Sequence, residues 1–308
     1  LTGIGPVAGF TEGSDFFRAN FSDFELQDVD SAFDSTVEDF AVAEDIMAGY
    51  LLGRWESADL RVVYGLRYEH TDNTLVGNNV LLVEEDGTLP DGSIAADDTV
   101  LVSPVSIDKN YDHWLPSLNL RYEPQTDLVL RAGFYRSIVR PSPFQQAPHF
   151  AVEEADDGER SGEFGNPALL PTEAWNFDAA AEYYMSATGA LHASVFYKSL
   201  DNFIVDVNTD VAGNFRGIAF DEATIAQNGD EADIFGIELG FSQAFTGTLD
   251  GFVVQANYTF TDADGTVTTL ASEGPRSIPL PATAKHTANF SVGYDKGPID
   301  IRLSVTYR

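Results

Sequence analysis

An alternation of apolar and polar residues with period two recurs ten times along this chain. From Leu60 to Glu69 every even position is apolar, and the odd positions carry Arg61, Gly65, Arg67 and Glu69, with Val63 the exception. Leu118, Leu120 and Tyr122 alternate with Asn119, Arg121 and Glu123 in the same way. The pattern returns at Leu128–Phe134, Trp175–Tyr183, Leu191–Tyr197, Phe235–Phe241, Phe252–Phe260, Ala288–Tyr294 and Ile299–Tyr307. A less regular member, Ile46/Ala48/Tyr50/Leu52, precedes them. Side chains repeat every two residues in a strand and every 3.6 in a helix, so these segments are strands.

Three details separate a membrane wall from a half-buried soluble sheet. The apolar faces carry no charge, while the opposite faces hold Arg, Glu, Asp and Lys. The periodic runs are about 9–12 residues long, the length needed to cross a bilayer at a tilt. Tyr, Phe or Trp closes many of the apolar faces, as at Tyr68, Tyr122, Trp175, Tyr197, Phe260, Tyr294 and Tyr307. Aromatic girdles at the lipid interface produce that placement. The fold expected is all-β: a transmembrane antiparallel up-and-down β-barrel, with about ten strands of a larger barrel visible, because a spanning sheet must close to satisfy its backbone.

The connections alternate between short and long. Short ones fall near 54–59, 123–127, 186–190, 246–251 and 295–298, with Pro124, Gly189, Gly247 and Gly297 as turn formers. Long ones are expected at 71–112, 139–172, 207–231 and 262–283, the side that faces outward in outer-membrane barrels. Residues 40–308 are thus five hairpins. Residues 1–39, where Phe16, Phe17, Phe21, Phe24, Phe33 and Phe40 sit among Asp and Ser, are expected to be the end of a preceding strand and an extracellular loop.

Charge and chemistry narrow the function. The chain has 17 Lys+Arg against 49 Asp+Glu, a net charge of −32, which repels nucleic-acid phosphates. Cys is absent, which excludes disulfides, thiolate metal sites and cysteine nucleophiles. The acid is concentrated in the long connections, including Glu84–Asp86, Glu153, Glu154, Asp156 and Asp157, and reads as a solvated, self-repelling surface. Loop-bound Ca²⁺ is the rival reading. Asp262-Ala-Asp264-Gly265 begins like a calcium loop but lacks the closing Glu. The five His are scattered and no phosphate loop or nucleophile elbow appears, so neither a cofactor, a metal site nor an enzyme is expected. Arg61, Arg67, Arg121, Arg131 and Arg302, five of thirteen Arg, take the lumen phase, where Glu69, Glu123, Glu182 and Glu238 are their expected partners.

Several blocks resemble TonB-dependent outer-membrane receptors of the proteobacterial branch. Ala48–Trp55 followed by Leu60–Glu69 resembles a barrel hairpin of that family. Trp114-Leu115-Pro116-Ser117-Leu118-Asn119-Leu120-Arg121-Tyr122 and Leu130–Pro141 resemble two of its strands, and Gly165-Asn166-Pro167-Ala168-Leu169-Leu170-Pro171 with Glu182-Tyr183-Tyr184 resembles a third block, Leu170 standing where a basic residue is usual. The resemblance implies a barrel of about 22 strands with a plugged lumen, a plug and an N-terminal box for the energising TonB complex that are expected to lie outside this chain, and import of a small molecule or oligosaccharide. It makes the chain a middle-to-late barrel portion. Phe144, His149, Phe150, Phe164 and Phe215 in the long loops are the expected substrate contacts. Their rings favour an oligosaccharide over an iron siderophore, which calls for Arg and Lys. A passive porin or structural barrel, and a secreted calcium-dependent adhesin or lectin, are the alternatives.

Overall fold

The computed structural model describes residues 12–23, 28–154, 158–268, 274–280 and 283–308. Two helices, α1 (Glu12–Ala19) and α2 (Asp28–Val37), precede the strands β1 (Ala41–Glu56), β2 (Leu60–Val83), β3 (Thr99–Gln125) and β4 (Leu128–Val139). A short helix α3 (Pro143–Gln146) leads into β5 (Phe150–Glu154), β6 (Arg160–Phe164), β7 (Thr172–Ser186) and β8 (Gly189–Asp201). Then come β9 (Ile204–Thr209), β10 (Gly213–Phe215), β11 (Ile218–Phe220), β12 (Glu222–Asn228) and β13 (Glu231–Ala244). The last are β14 (Phe252–Val267), β15 (Arg276–Pro279), β16 (His286–Lys296) and β17 (Ile299–Tyr307).

The ten periodic segments form one antiparallel wall in the order β1-β2-β3-β4-β7-β8-β13-β14-β16-β17. The wall is a partial barrel, with β1 and β17 as its outer strands. Every short connection lies at one end, and left-handed glycines such as Gly251 (φ 98°) and Gly297 (φ 62°) turn the chain there.

Register shows why the wall has two chemically distinct faces. One row crosses nine strands as Leu60, Tyr122, Leu130, Ala181, Ala193, Leu239, Tyr258, Ala288 and Tyr307. The neighbouring row on the other face reads Arg61, Arg121, Arg131, Ala180, Ser194, Glu238, Thr259 and Thr287. The first row has no charge, and most of its large side chains stand exposed, Leu239 and Tyr307 among them. An exposed apolar belt of this extent is a surface made for lipid. Its upper margin is aromatic: Tyr68 and Trp114 lie 4.7 Å apart and Phe134 stacks on Trp175 at 5.1 Å. Beyond that margin the same face turns polar, with His70, Asp72 and Thr74 on β2 beside Asp108, Asn110 and Asp112 on β3.

The structure departs from the sequence reading in three places. Residues 71–112, expected as a loop, are mostly strand: β2 runs to Val83 and β3 starts at Thr99, so the hairpin stands well above the aromatic margin. Alternation persists there with polar residues outside and Thr71, Asn73 and Leu75 buried inside. In β1, Ile46, Ala48 and Tyr50 pair with Thr71, Glu69 and Arg67 and so share the inner face, while Met47, Leu51 and Trp55 take the outer one. Both faces of β1 are largely apolar, so its alternation alone could not assign the phase. Residues 12–23 and 28–37 contain helices, and Phe33 packs with Val80 and Ala151. Phe24, Asp156 and Asp157 lie outside the described residues.

The connections 139–172 and 207–231 build their own structure. β5 pairs in parallel with β2, β6 with β5, β12 in parallel with β6, and β9 with β12. The tall hairpin and these strands are one continuous sheet. On one side Phe150, Val152, Phe164, Phe220 and Ile225 form a small apolar core.

Replacing Leu239 with Arg puts a charge into the lipid-facing row and is expected to cost about 2–4 kcal/mol. Glu238→Gln, one residue away on the inner face, should be tolerated. Heat-modifiable gel mobility of the membrane-inserted protein separates the two; equal folding of both would contradict the assignment of faces.

Candidate functional site

The inner wall divides into two zones. Near the short turns, Arg61, Arg121 and Arg131 stand side by side on β2, β3 and β4. Like charges directly opposite repel, and each guanidinium has its own carboxylate. Arg61 pairs with Glu56, Arg121 with Glu123, and Arg131 with Glu182 at 2.7 Å. The expected Arg–Glu pairing thus occurs, with Glu56 as an additional partner. Glu238 instead accepts from the Ser194 hydroxyl at 3.1 Å. Arg302 lies on β17, opposite Gly293. A recess of about 360 Å³ opens over this zone, bordered by Asn119, Tyr135 and Asp178 as well as the three Arg.

Above the aromatic margin lies a second polar zone, which the sequence reading missed apart from Glu69. Three rows run across β1, β2 and β3: Ala48–Glu69–His113, Ile46–Thr71–Tyr111 and Glu44–Asn73–Lys109. Arg140, just past the end of β4, reaches into them. It donates to Glu69 Oε2 at 2.6 Å and to Thr71 Oγ1 at 3.1 Å, and its Nε stands 3.5 Å from Glu44 Oε1. Arg67 reaches the other Glu69 oxygen at 2.5 Å. Glu69 is 8% exposed, a burial a carboxylate tolerates when two guanidiniums share it. His113 Nε2 lies 3.0 Å from Glu173, which also pairs with Arg136.

The connection 139–172 covers this zone from both of its limbs. Asn73 donates to Gln146 Oε1 at 3.5 Å, and Lys109 Nζ donates to the Leu169 carbonyl at 3.1 Å. A side chain at Gly77 would meet the Pro148 carbonyl at 2.6 Å, so glycine permits this close approach. Burial pushes Lys109 down to about 8, against the opposing pull of Glu44, and pushes Tyr111 up. His149 is held below the usual imidazole range by burial. On the outer face, the hydrogen bond to Asp112 holds His70 above that range.

The five aromatic and His positions expected to touch substrate fall into two groups. Phe144 and His149 lie with ring centres 4.4 Å apart in a tilted arrangement with Phe40 beside both, and Phe144 is 50% exposed. Phe150, Phe164 and Phe215 pack on one another in the apolar core of the connections, and Phe150 is 2% exposed. Arg140, Glu44, Lys109 and Tyr111 were legible only by continuing the β1–β3 phases past the aromatic margin, and Arg140 by its place next to a strand end.

The profile described as TonB dependent receptor-like, beta-barrel, matches residues 1–308. The chain belongs to the TonB-dependent receptor β-barrel family. Members of this family lie in the outer membrane of Gram-negative bacteria, so the charge-free face of this receptor barrel is its lipid face. Among solved structures, it is similar to the hemophore receptor HasR of Serratia marcescens in complex with its hemophore and heme, with TM-score 0.58 and 14% identity over 85% of this chain and 43% of that one. The ferric enterobactin receptor PfeA of Pseudomonas aeruginosa gives TM-score 0.53 and 17% identity over 87% and 42%. The FrpB iron transporter of Neisseria meningitidis gives 0.52 and 15% over 89% and 34%. At these identities the likeness is one of fold, and the receptor barrel spans between 34% and 43% of the length of these three proteins. A comparison with curated proteins finds no match.

Two outcomes test this geometry. Arg140→Ala leaves Glu69 with one guanidinium and frees the start of the connection; hydrogen exchange across 141–149 should accelerate by about tenfold or more, the factor that corresponds to about 1.4 kcal/mol. Lys109 has a folded pKa below its unfolded one, so the unfolded state binds more protons and stability rises with pH through the window from about 8 to the ordinary lysine value of 10.5. Protection at 165–171, corrected for intrinsic exchange, should rise across that window in the native protein and stay flat in Lys109→Met.

Proposed function

We propose that this barrel is part of an outer-membrane receptor that binds a scarce nutrient at its long-loop end and imports it, with energy delivered through TonB. The observation that carries the proposal is the two-faced wall: a charge-free belt for lipid on one side and, in strict register behind it, an inner face of charged and polar groups. Binding and gated passage, rather than catalysis, are the chemistry such a wall serves.

Charge bears on the substrate. The chain carries −32 overall, and acidic side chains crowd its long connections. That field repels an anionic chelate and leaves a neutral, hydroxyl-rich molecule unopposed. Most inner-wall Arg are already held by Glu and offer little spare positive charge. An oligosaccharide is the substrate class proposed, with Phe144, whose ring is exposed, as the stacking surface. The buried Phe150 and Phe164, with the partly buried Phe215 packed against them, act by holding the connections together.

The full-length receptor, tested against a panel of oligosaccharides and ferric siderophores, is expected to bind an oligosaccharide. Phe144→Ala should weaken that binding by about 1–3 kcal/mol, the usual worth of a stacked ring. Tight ferric-siderophore binding without oligosaccharide binding would overturn the substrate class, and uptake that persists without TonB would overturn the energised mechanism.

A further inference from the structure

The inner wall also divides sideways. The row that carries Glu182 and His192 on β7 and β8 continues as Gly240, Asn257, Asn289 and Thr306 on β13, β14, β16 and β17. The next row toward the turns reads Ser242, Gln255, Ser291 and Ser304 on the same four strands. Toward the long loops Thr259 faces Thr287, and Thr261 stands above them. Among the described residues, no charged side chain interrupts this field between Glu238 on β13 and Arg302 near the turn end.

The groups of this field reach solvent. Gln255, Asn257, Ser304 and Thr306 are exposed, and Asn289 and Ser291 are half-buried. Neutral hydrogen bonds link them. Asn289 Nδ2 donates to Asn257 Oδ1 at 2.7 Å, Thr306 Oγ1 donates to Asn289 Oδ1 at 2.8 Å, and Ser304 Oγ donates to Ser291 Oγ at 3.2 Å. Each amide carries two donor hydrogens and an acceptor with two lone pairs, more than these bonds use. Neighbouring groups stand about 5 Å apart across the strands and about 7 Å along them, a spacing close to the size of a sugar ring. A permanently seated partner is held by buried aromatic or charged anchors, and this field has neither. Passage of a solute calls for the opposite, a series of sites each weak enough to leave. A neutral hydrogen bond exchanged for one to water has that weakness.

We propose that the inner face of β13, β14, β16 and β17 is the lane along which a neutral oligosaccharide crosses the barrel. Its hydroxyls pass from Thr259 and Thr287 to Asn257 and Asn289, and then to Gln255 and Ser291. The Arg–Glu half of the wall, on β2 to β7, stays outside the lane. This inference rests on the oligosaccharide reading and adds the route to it.

The test measures binding and TonB-dependent uptake by cells carrying the full-length receptor. The probes are maltotetraose, cellotetraose and xylotetraose, and the one bound best is carried forward. Asn257→Leu combined with Asn289→Leu is expected to lower the saturated uptake rate about tenfold and to leave the Kd within about twofold, because the lane acts after capture. Asn257→Gln with Asn289→Gln keeps the amides and should retain the native rate. Heat-modifiable mobility confirms that both pairs fold. Native uptake by the Leu pair, or equal loss in the Gln pair, would overturn the lane alone. Entry of the probe through the Leu pair without TonB would also overturn it, and would assign these rows to seating a plug. A native receptor that neither binds nor imports any of these tetrasaccharides overturns the substrate reading, and the lane with it.

Discussion

Everything in this wall depends on the backbone hydrogen-bond ladder. Inside a bilayer no water can satisfy an N–H or C=O group, so each strand must bond to its neighbours along its whole spanning length. Once the ladder forms, cross-strand partners share a face, and a single choice of register assigns every side chain to lipid or to lumen. The uninterrupted row from Leu60 to Tyr307 and the charged row behind it are two readings of the same ladder.

Charge on the inner face is then a problem of local pairing. Three Arg in direct cross-strand register would repel one another, and each is matched by a Glu: Glu56 directly opposite Arg61, and Glu123 and Glu182 a short step toward the turns from Arg121 and Arg131. Higher up, one Arg from beyond the strand end serves Glu69 and Thr71 at once and holds down the connection that covers them. The same residues thus neutralise the wall and position the structure above it.

The ten wall strands and the phase of nine of them were legible in the sequence, because one face is apolar without exception and the other is not. β1 escaped because Ile46, Met47, Tyr50, Leu51 and Leu52 are apolar on both faces, and only pairing with β2 decides between them. The height of the first hairpin escaped because its outer residues are Asp, Asn and Thr, the types that also mark loops. The parallel pairings of β5 and β12 left no periodic trace, since strands of five to seven residues carry too few repeats. Of the residues expected to meet substrate, three aromatics belong to the core that those pairings create. Ring content alone does not distinguish a stacking platform from a core, whereas pairing partners do.

The parallel pairings join connections that are far apart in sequence into one sheet with the first hairpin. Such a sheet restricts how the outer surface can vary over evolutionary time. An insertion of two residues within β5, β6 or β12 preserves which side chains point to the Phe150 core, while an insertion of one reverses all of them beyond that point. Variation should accumulate instead in the segments between those strands, where length is free of parity, so the acidic turns can diversify while the sheet that carries them keeps its frame.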